Sequence, residues 1–327
     1  MTGLSICVVG GTGSFGSALV RRLLTMGPNR VVILSRGEHR QADLRRTLGD
    51  DPRIRWFIGD VRDEARLRQA FYGCDVVINA AAIKRIEVAS REAEEAIKTN
   101  VLGMGNVLRA ATAEGVERVL LISSDKACEP VTCYGATKLM AEHLTTSANV
   151  FGFPRGTRSA SVRWGNVLGS AGSVVHTFRR AIRDGRPVQI TDSRMTRFWI
   201  GMDDAVDFCP RVVEEMRGGE VFVPKLLASP ILDLFRSMVG GVTDLLGWEE
   251  VGLRAGGEKI HEILVSADET PRAVDIGWGY VIEPTWNAPA TRAPWTGEPL
   301  KEAIRSDTVE WMGIDELRRA VAAVPEE

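Results

Sequence analysis

The sequence predicts an α/β fold, a doubly wound parallel sheet followed by a smaller C-terminal domain. Three observations predict it. A short apolar run opens into a glycine-rich turn and an apolar-periodic helix, and strand and helix patterns then alternate through the first third of the chain. From about Ser161 the pattern breaks into shorter, Pro- and Gly-punctuated segments. With 327 residues, 44% of them hydrophobic, the chain can fill one large or two moderate domains.

The first strand, Ile6 to Val9, runs into Gly10-Gly11-Thr12-Gly13-Ser14-Phe15-Gly16, and Leu19, Val20, Leu23 and Leu24 continue as a helix. Glycines at Gly10, Gly13 and Gly16 let the backbone turn tightly and approach a pyrophosphate held on the helix N-terminus. This is a Rossmann-like dinucleotide fingerprint, with Thr12, Ser14 and Phe15 on the same turn. Val31 to Leu34 forms the second strand and ends in Ser35-Arg36, with Arg40 just beyond. A cation there accommodates a ribose 2′-phosphate where an acidic residue would hold a 2′-hydroxyl, so NADP is favoured over NAD. Arg55 to Ile58 is the third strand and closes in Asp60 and Val61. Val76 to Ile78 is the fourth, and it leads into Ala80, Ala81 and Ala82, small enough for a cofactor to lie against. One helix is expected from about Ser90 to Glu114, with Asn100 on it.

The fifth strand, Val119 to Ile122, delivers the stretch Ser123 to Lys138 to the carboxyl edge of the sheet, where ligands bind in open parallel sheets. Tyr134 and Lys138 are four apart and share a helix face. A nearby ammonium favours the phenolate, so the pair can make a general base from a phenol that ordinarily ionises near 10. Asp125 and Lys126 add an acid/base couple just upstream.

Beyond Ser161, Val162-Arg163-Trp164 reads as a strand and Gly165 to Ser173 as a glycine-rich loop. Met195 to Ile200 is followed by an acidic helix start at Asp203-Asp204, and Asp315 to Val324 reads as a terminal amphipathic helix. We divide the chain at 1–165, the dinucleotide-binding domain to which later segments return, and 166–327, mainly a substrate-binding domain. A formal net charge of -2 argues against nucleic-acid and membrane-surface partners. No apolar run approaches the ~20 residues of a membrane helix, and no signal peptide is expected at Met1. Five cysteines without paired spacing point to reduced thiols and a cytoplasmic setting. Four scattered histidines offer no metal site.

These residues together resemble the extended short-chain dehydrogenase/reductase superfamily, marked by Gly-x-x-Gly-x-x-Gly and Tyr-x-x-x-Lys. Within it the chain is similar to the soluble, inverting UDP-N-acetylglucosamine 4,6-dehydratases of pseudaminic acid and capsule pathways. The resemblance rests on Gly-Gly-Thr-Gly-Ser-Phe-Gly, Gly-Asp-Val-Arg-Asp, Ser-Asp-Lys-Ala, Tyr-Gly-Ala-Thr-Lys, Met-Thr-Arg-Phe-Trp-Ile and Gly-Glu-Lys-Ile-His-Glu, and spans nearly the whole chain. It implies that Tyr134, helped by Lys138, takes the proton of the sugar 4-hydroxyl as hydride leaves for a tightly retained NADP. It further implies that Lys126 removes the C5 proton and Asp125 protonates the departing 6-hydroxyl. Hydride then returns to C6, and C5 is inverted. Lys84 would lie near the site on the cofactor and substrate side, and Asn166 would contact the sugar. Arg254 and Glu258 would lie near the diphosphate and ribose, with Arg197 and Lys225 as further candidates. A homo-oligomer is expected.

The chain departs from that family at Lys84-Arg85-Ile86-Glu87, at Trp164, at Ala171, where a cation is lost, and at Val309. The departures leave two other readings in play. One is a nucleotide-sugar epimerase or a dehydratase of different regiochemistry or substrate, and the other is a non-catalytic NADP-sensing module, against which Tyr134 and Lys138 stand.

Overall fold

The computed structural model describes residues 1–152, 155–239, 247–285 and 294–326. β1 (Ser5–Val9) leads into α1 (Ser14–Thr25), β2 (Arg30–Ser35) into α2 (Glu38–Leu48) and β3 (Ile54–Ile58) into α3 (Glu64–Phe71). β4 (Val76–Asn79) is followed by a broken helical stretch and β5 (Arg118–Ile122). Ile6 to Val9 are fully buried, as a parallel strand covered on both faces must be. Ile6 stands opposite Val31 on one side and Val76 on the other. Leu19, Val20 and Leu23 of α1 pack on one face of the sheet with Val8 and Ile33. Leu67 and Phe71 of α3 pack on the other with Cys7, Val9 and Val32.

The stretch expected as one helix from Ser90 to Glu114 is four pieces: α4 (Ile86–Arg91), α5 (Ala93–Ala96), a π-helical segment Ile97–Leu102 and α6 (Gly103–Ala113). Glu92 leaves helical geometry at φ -111, ψ 51 and ends the first piece. The π segment widens the turn that carries Thr99 and Asn100, both buried; such turns recur at functional sites.

After β5 come a 3-10 turn at Asp125–Ala127, α7 (Cys133–Ser147), α8 (Asn149–Gly152) and β6 (Arg158–Val162). β6 stops where a strand through Trp164 was expected. Arg163 lies beyond its end and turns its guanidinium into a buried ion-pair group with Glu142 and Glu269.

From residue 166 the chain serves two units. β7 (Asn166–Val167), β9 (Thr196–Ile200) and β11 (Ala228–Pro230) make a three-stranded sheet. α9 (Val174–Arg183), β8 (Val188–Ile190), α11 (Ile231–Val239), β12 (Trp248–Glu250) and a terminal helix, Ile314–Ala322, complete a lobe. Phe178, Leu234, Phe235 and Leu317 lie in its core. α10 (Met202–Glu215), which starts on Asp203 and Asp204, instead packs Val206, Cys209 and Val213 into the α1 layer.

β10 (Val221–Pro224), β14 (Ala273–Asp275), β15 (Gly279–Ile282) and β16 (Glu298–Pro299) return to the main sheet, while β13 (Ile263–Val265) pairs with β17 (Ile304–Arg305). Among the described residues the main sheet runs β16-β14-β15-β10-β6-β5-β4-β1-β2-β3. Its 6-5-4-1-2-3 portion is the order of a doubly wound dinucleotide fold, whose ligand crevice opens at the carboxyl ends of the strands.

Candidate active site

The turn after β1 lies at that crevice. Gly10 N–H donates to Leu34 O at 2.8 Å and Gly13 N–H to Gly10 O at 3.0 Å, which folds the turn back on the sheet. A Cβ on Gly16 would stand 2.3 Å from Gly10 O, so only glycine lets α1 begin this close to the turn. Gly13 caps α1 with no side-chain bond of its own, which leaves the first N–H groups of the helix facing the crevice. Thr12 is partly buried on the turn. The Ser14 hydroxyl accepts from Ala171 N–H at 3.1 Å and ties the turn to the Gly169–Ser173 loop, and the Phe15 ring lies 5.2 Å from that of Trp164.

Other dinucleotide candidates line the same edge. Ser35 is buried and accepts from Gln41 Nε2 at 3.0 Å, while Arg36 and Arg40 are exposed. Asp60 is held by Arg62 at 2.8 Å and lies 3.9 Å from Arg36; Val61 is buried beneath Gly103. Ala80 to Ala82 follow β4, with Ala81 N–H fixed on Asn79 Oδ1 at 3.1 Å. Asn100 spends its amide on the chain itself: Oδ1 accepts from Ile83 N–H at 2.8 Å, and Nδ2 donates to Ile83 O and Thr137 Oγ1. It props the loop after β4 against α7.

The chemistry-bearing residues gather after β5. Ser124 caps the 3-10 turn by accepting Lys126 N–H at 3.3 Å, and Asp125 N–H donates to Trp164 O at 2.9 Å. α7 is capped by Thr132, whose hydroxyl accepts Gly135 N–H at 2.9 Å. Gly135 sits so close that a Cβ there would stand 2.2 Å from Lys126 O. Glycine at this point brings Tyr134 and the Asp125–Lys126 turn together.

Asp125 is fully buried. Its Oδ1 accepts from Ser124 Oγ at 2.8 Å and from Lys126 Nζ at 3.1 Å, while Oδ2 has no hydrogen-bond partner among the described residues. Lys126 Nζ also lies 3.2 Å from Glu262 Oε1 and 3.4 Å from Asn166 Oδ1 on β7. Lys259 Nζ donates to Asp125 O at 3.1 Å and Cys128 O at 2.7 Å, and lies 3.2 Å from Glu262 Oε2. Arg197, on β9, donates to Glu258 Oε1 at 3.0 Å and lies 3.9 Å from Glu262 Oε1. A small cavity, about 10 Å³, is lined by Lys126, Thr132, Glu258, Lys259 and Glu262 among others.

The electrostatics follow from this crowding. Burial, then the charge of Glu262, pushes the Asp125 carboxyl up. Burial alone would lower Lys126, but Asp125 and Glu262 raise it above the usual lysine value. Burial works on Glu262 in the opposite sense to Lys126, Arg197 and Lys259, and those cations win, holding its carboxyl at about 2. Burial pushes Tyr134 up to about 12, and Lys126 is the main charge pulling it back. Burial brings Lys138 down to about 8 against the opposing charge of Glu142. Lys138 Nζ donates to Ile122 O at 2.6 Å. Among the charges acting on the Tyr134 phenol, Lys126 is the largest that lowers its pKa.

The expected substrate ligands separate into groups. Asn166 is beside Lys126. Arg197 and Glu258 are buried against each other, so the Arg197 fork is occupied by protein groups. Arg254 is exposed, 3.5 Å from Glu258 and 3.6 Å from Glu87, at the rim. Lys84 is exposed on the loop after β4. Lys225 pairs with Asp275 at 2.7 Å past the end of β10, beside Tyr280. Lys259 and Glu262 were not singled out from the sequence. Their signal was present in Gly-Glu-Lys-Ile-His-Glu, which alternates acid and base, but no local pattern says which member turns inward.

Among the described residues no helix is long and apolar enough to cross a membrane, and no His, Cys, Asp or Glu group is arranged to hold a metal ion.

Comparison with known proteins shows what the chain is similar to. Residues 6–284 match the family described as polysaccharide biosynthesis protein. The chain is 41% identical to a protein of Campylobacter jejuni serotype O:2 named UDP-N-acetylglucosamine 4,6-dehydratase (inverting), over 86% of this chain and 83% of that one. It is 36% identical to a Rickettsia bellii protein named UDP-glucose 4-epimerase, over 85% and 82% of the two chains. Among solved structures, the X-ray structure of Pen from Bacillus thuringiensis superposes with a TM-score of 0.90 at 33% identity, covering 98% of this chain and 97% of that one.

Proposed function

Because the chain belongs to the polysaccharide biosynthesis protein family, we propose that it is a nucleotide-sugar 4,6-dehydratase, acting on UDP-N-acetylglucosamine with inversion at C5. The observation that carries the reading is the Asp125–Lys126 pair, with Asp125 fully buried, packed close to the Tyr134 end of α7 and with Asp125 Oδ2 unpartnered among the described residues.

A nicotinamide dinucleotide fits the cradle, since Gly16 keeps the turn narrow and Gly13 leaves the α1 N–H groups unblocked. When held there, a nicotinamide would supply the hydride acceptor for C4 and the hydride donor for C6 of the sugar. NADP is the form proposed, because Arg36 and Arg40 are exposed where β2 ends and Ser35 offers no carboxylate.

Tyr134, helped by Lys138, takes the proton of the 4-hydroxyl, and the Lys126 charge adds to stabilising the phenolate that this requires. The resulting 4-keto group acidifies C5–H. A proton passed across 3.1 Å from Lys126 Nζ to Asp125 Oδ1 leaves a neutral amine and a carboxylic acid, the two forms elimination needs. The raised pKa of Asp125 favours this transfer, and the raised pKa of Lys126 opposes it. The amine removes the C5 proton, Asp125 gives its proton to the 6-oxygen, and the C5–H and C6–O bonds break with loss of water. A proton returned to the opposite face of C5 inverts it. Arg254, at the rim with Glu258 behind it, suits the diphosphate. A cytoplasmic homo-oligomer belongs to the same reading.

NMR of the purified protein with UDP-N-acetylglucosamine in D2O tests the function. The expected product is a 4-keto-6-deoxy sugar with deuterium at C5 and inverted C5 coupling. The epimerase reading, favoured by the Rickettsia relative, requires instead that the 6-hydroxyl be retained.

A further inference from the structure

Glu262 is 1% exposed and cations surround it: Lys126 at 3.2 Å and Arg197 at 3.9 Å on Oε1, Lys259 at 3.2 Å on Oε2. Its backbone is fixed as well, with its N–H donating to Ser306 Oγ at 2.8 Å and its carbonyl accepting Ser306 N–H at 2.9 Å. Lys259 reaches past it to Asp125 O and Cys128 O, so one ammonium grips both the turn bearing the acid/base pair and the carboxylate that pairs with the base.

We propose that Glu262 is a positioning residue for the elimination step, holding one N–H of Lys126 Nζ while Asn166 holds a second, so that the valence freed by proton transfer to Asp125 is the lone pair that takes the C5 proton. The proposal rests on the dehydratase reading. A lysine amine keeps two N–H donors after losing its proton. Glu262 Oε1 can accept one and Asn166 Oδ1 the other, which aims the lone pair. Asn166 alone, 3.4 Å away, would leave the flexible lysine stem free to rotate.

A charge effect accompanies the geometry. The groups facing Lys126 are Asp125 on its own turn, Tyr134 from α7, Asn166 from β7, Arg197 from β9, and Glu258, Lys259 and Glu262 from the 258–262 segment. Glu262 contributes to raising both Asp125 and Lys126. The pair therefore keeps its shared proton to higher pH, which the acid role demands. Removing the charge moves that proton loss to lower pH.

The test uses Glu262→Gln and Glu262→Asp proteins carrying their bound cofactor, with UDP-N-acetylglucosamine as probe. Near-ultraviolet absorbance of reduced nicotinamide reports oxidation at C4, and deuterium incorporation at C5 reports the elimination half. Glu262→Gln can serve only one of the two lysines with its single carbonyl. It is expected to slow C5 exchange by about tenfold or more, to accumulate reduced nicotinamide, and to bring the alkaline limb of the exchange–pH profile to lower pH. Glu262→Asp, which keeps the charge at a shorter reach, restores the alkaline limb but not the full rate. Wild-type exchange with an unmoved limb in Glu262→Gln overturns the proposal, as does an equal fall in both half-reactions. If Glu262→Gln fails to fold, Glu262→Asp decides: slowed exchange with normal C4 oxidation supports the assignment, and unchanged or equally slowed steps overturn it. Failure of the parent reading shows separately, as wild-type protein that leaves the 6-hydroxyl in place, and the proposal then falls with it.

Discussion

Lys126 Nζ stands 3.1 Å from the Asp125 carboxylate although the two residues are consecutive. In a strand their side chains would point to opposite faces; the 3-10 turn brings them to the same one. The pair separates the two halves of the proposed reaction. Asp125→Asn removes the acid and is expected to slow loss of water by about 10²–10⁴-fold, while C4 oxidation, followed by nicotinamide absorbance, continues. Lys126→Met behaves differently. It also removes the main charge that opposes burial at the Tyr134 phenol, so the phenol's pKa moves further up, oxidation slows as well and its optimum moves to higher pH.

Lys138 is buried with its pKa brought down from 10.5 to about 8. For a base, that direction means the unfolded chain holds the proton more tightly. Below pH 8 the charged lysine therefore opposes folding, on the order of 3 kcal/mol, offset by its bond to Ile122 O. As pH rises from 8 towards 10 the opposition disappears. Lys138→Met is expected to lose activity yet melt no lower than the parent at pH 7, with any advantage closing above pH 8. Thermal scans at several pH values read this directly.

Much of this was legible in the sequence because it is local. The glycine spacing of Gly10, Gly13 and Gly16 encodes one turn, and Tyr134 and Lys138 are neighbours by helical periodicity alone. The broken helix around Asn100 was not legible, since Glu94, Glu95, Ala96 and Lys98 favour one continuous helix and the widening at Ile97–Leu102 leaves no compositional mark of its own. The inward turn of Lys259 and Glu262 depends on contacts more than 130 positions apart in the chain, and periodicity cannot report those. Arg197 shows what residue type alone leaves open. A cation suited to a diphosphate by type is committed to Glu258 by its fold.

Arg36 governs the proposed choice of cofactor. It is exposed and its nearest carboxylate, Asp60, is 3.9 Å away and already held by Arg62, so the guanidinium is available to a 2′-phosphate. A charge-assisted bond contributes about 1.5–3 kcal/mol. Arg36→Ala is expected to weaken NADP by about tenfold or more and NAD by much less. Calorimetric titration of protein stripped of cofactor measures both; equal losses would remove Arg36 from the choice.

Arg163 ties α7 to the late segment that returns to the main sheet. Fully buried, it donates to Glu142 Oε2 at 2.6 Å on α7 and to Glu269 Oε2 at 2.8 Å and Oε1 at 2.9 Å near the start of β14. Burial acts against the charge on Glu269, but Arg163 overcomes it and holds the carboxyl at about 2, below the ordinary 4.5. A carboxyl depressed in the folded state stabilises the fold above its unfolded pKa, and that contribution is lost as pH falls from about 4.5 towards 2. Glu269→Gln leaves the buried guanidinium with Glu142 alone. It is expected to cost about 3–5 kcal/mol at pH 7. The gap in melting temperature between variant and parent should then narrow as pH drops below 4.5, because the parent loses the same charge. A gap that stays constant down to pH 3 would mean that packing, not charge, makes Glu269 matter.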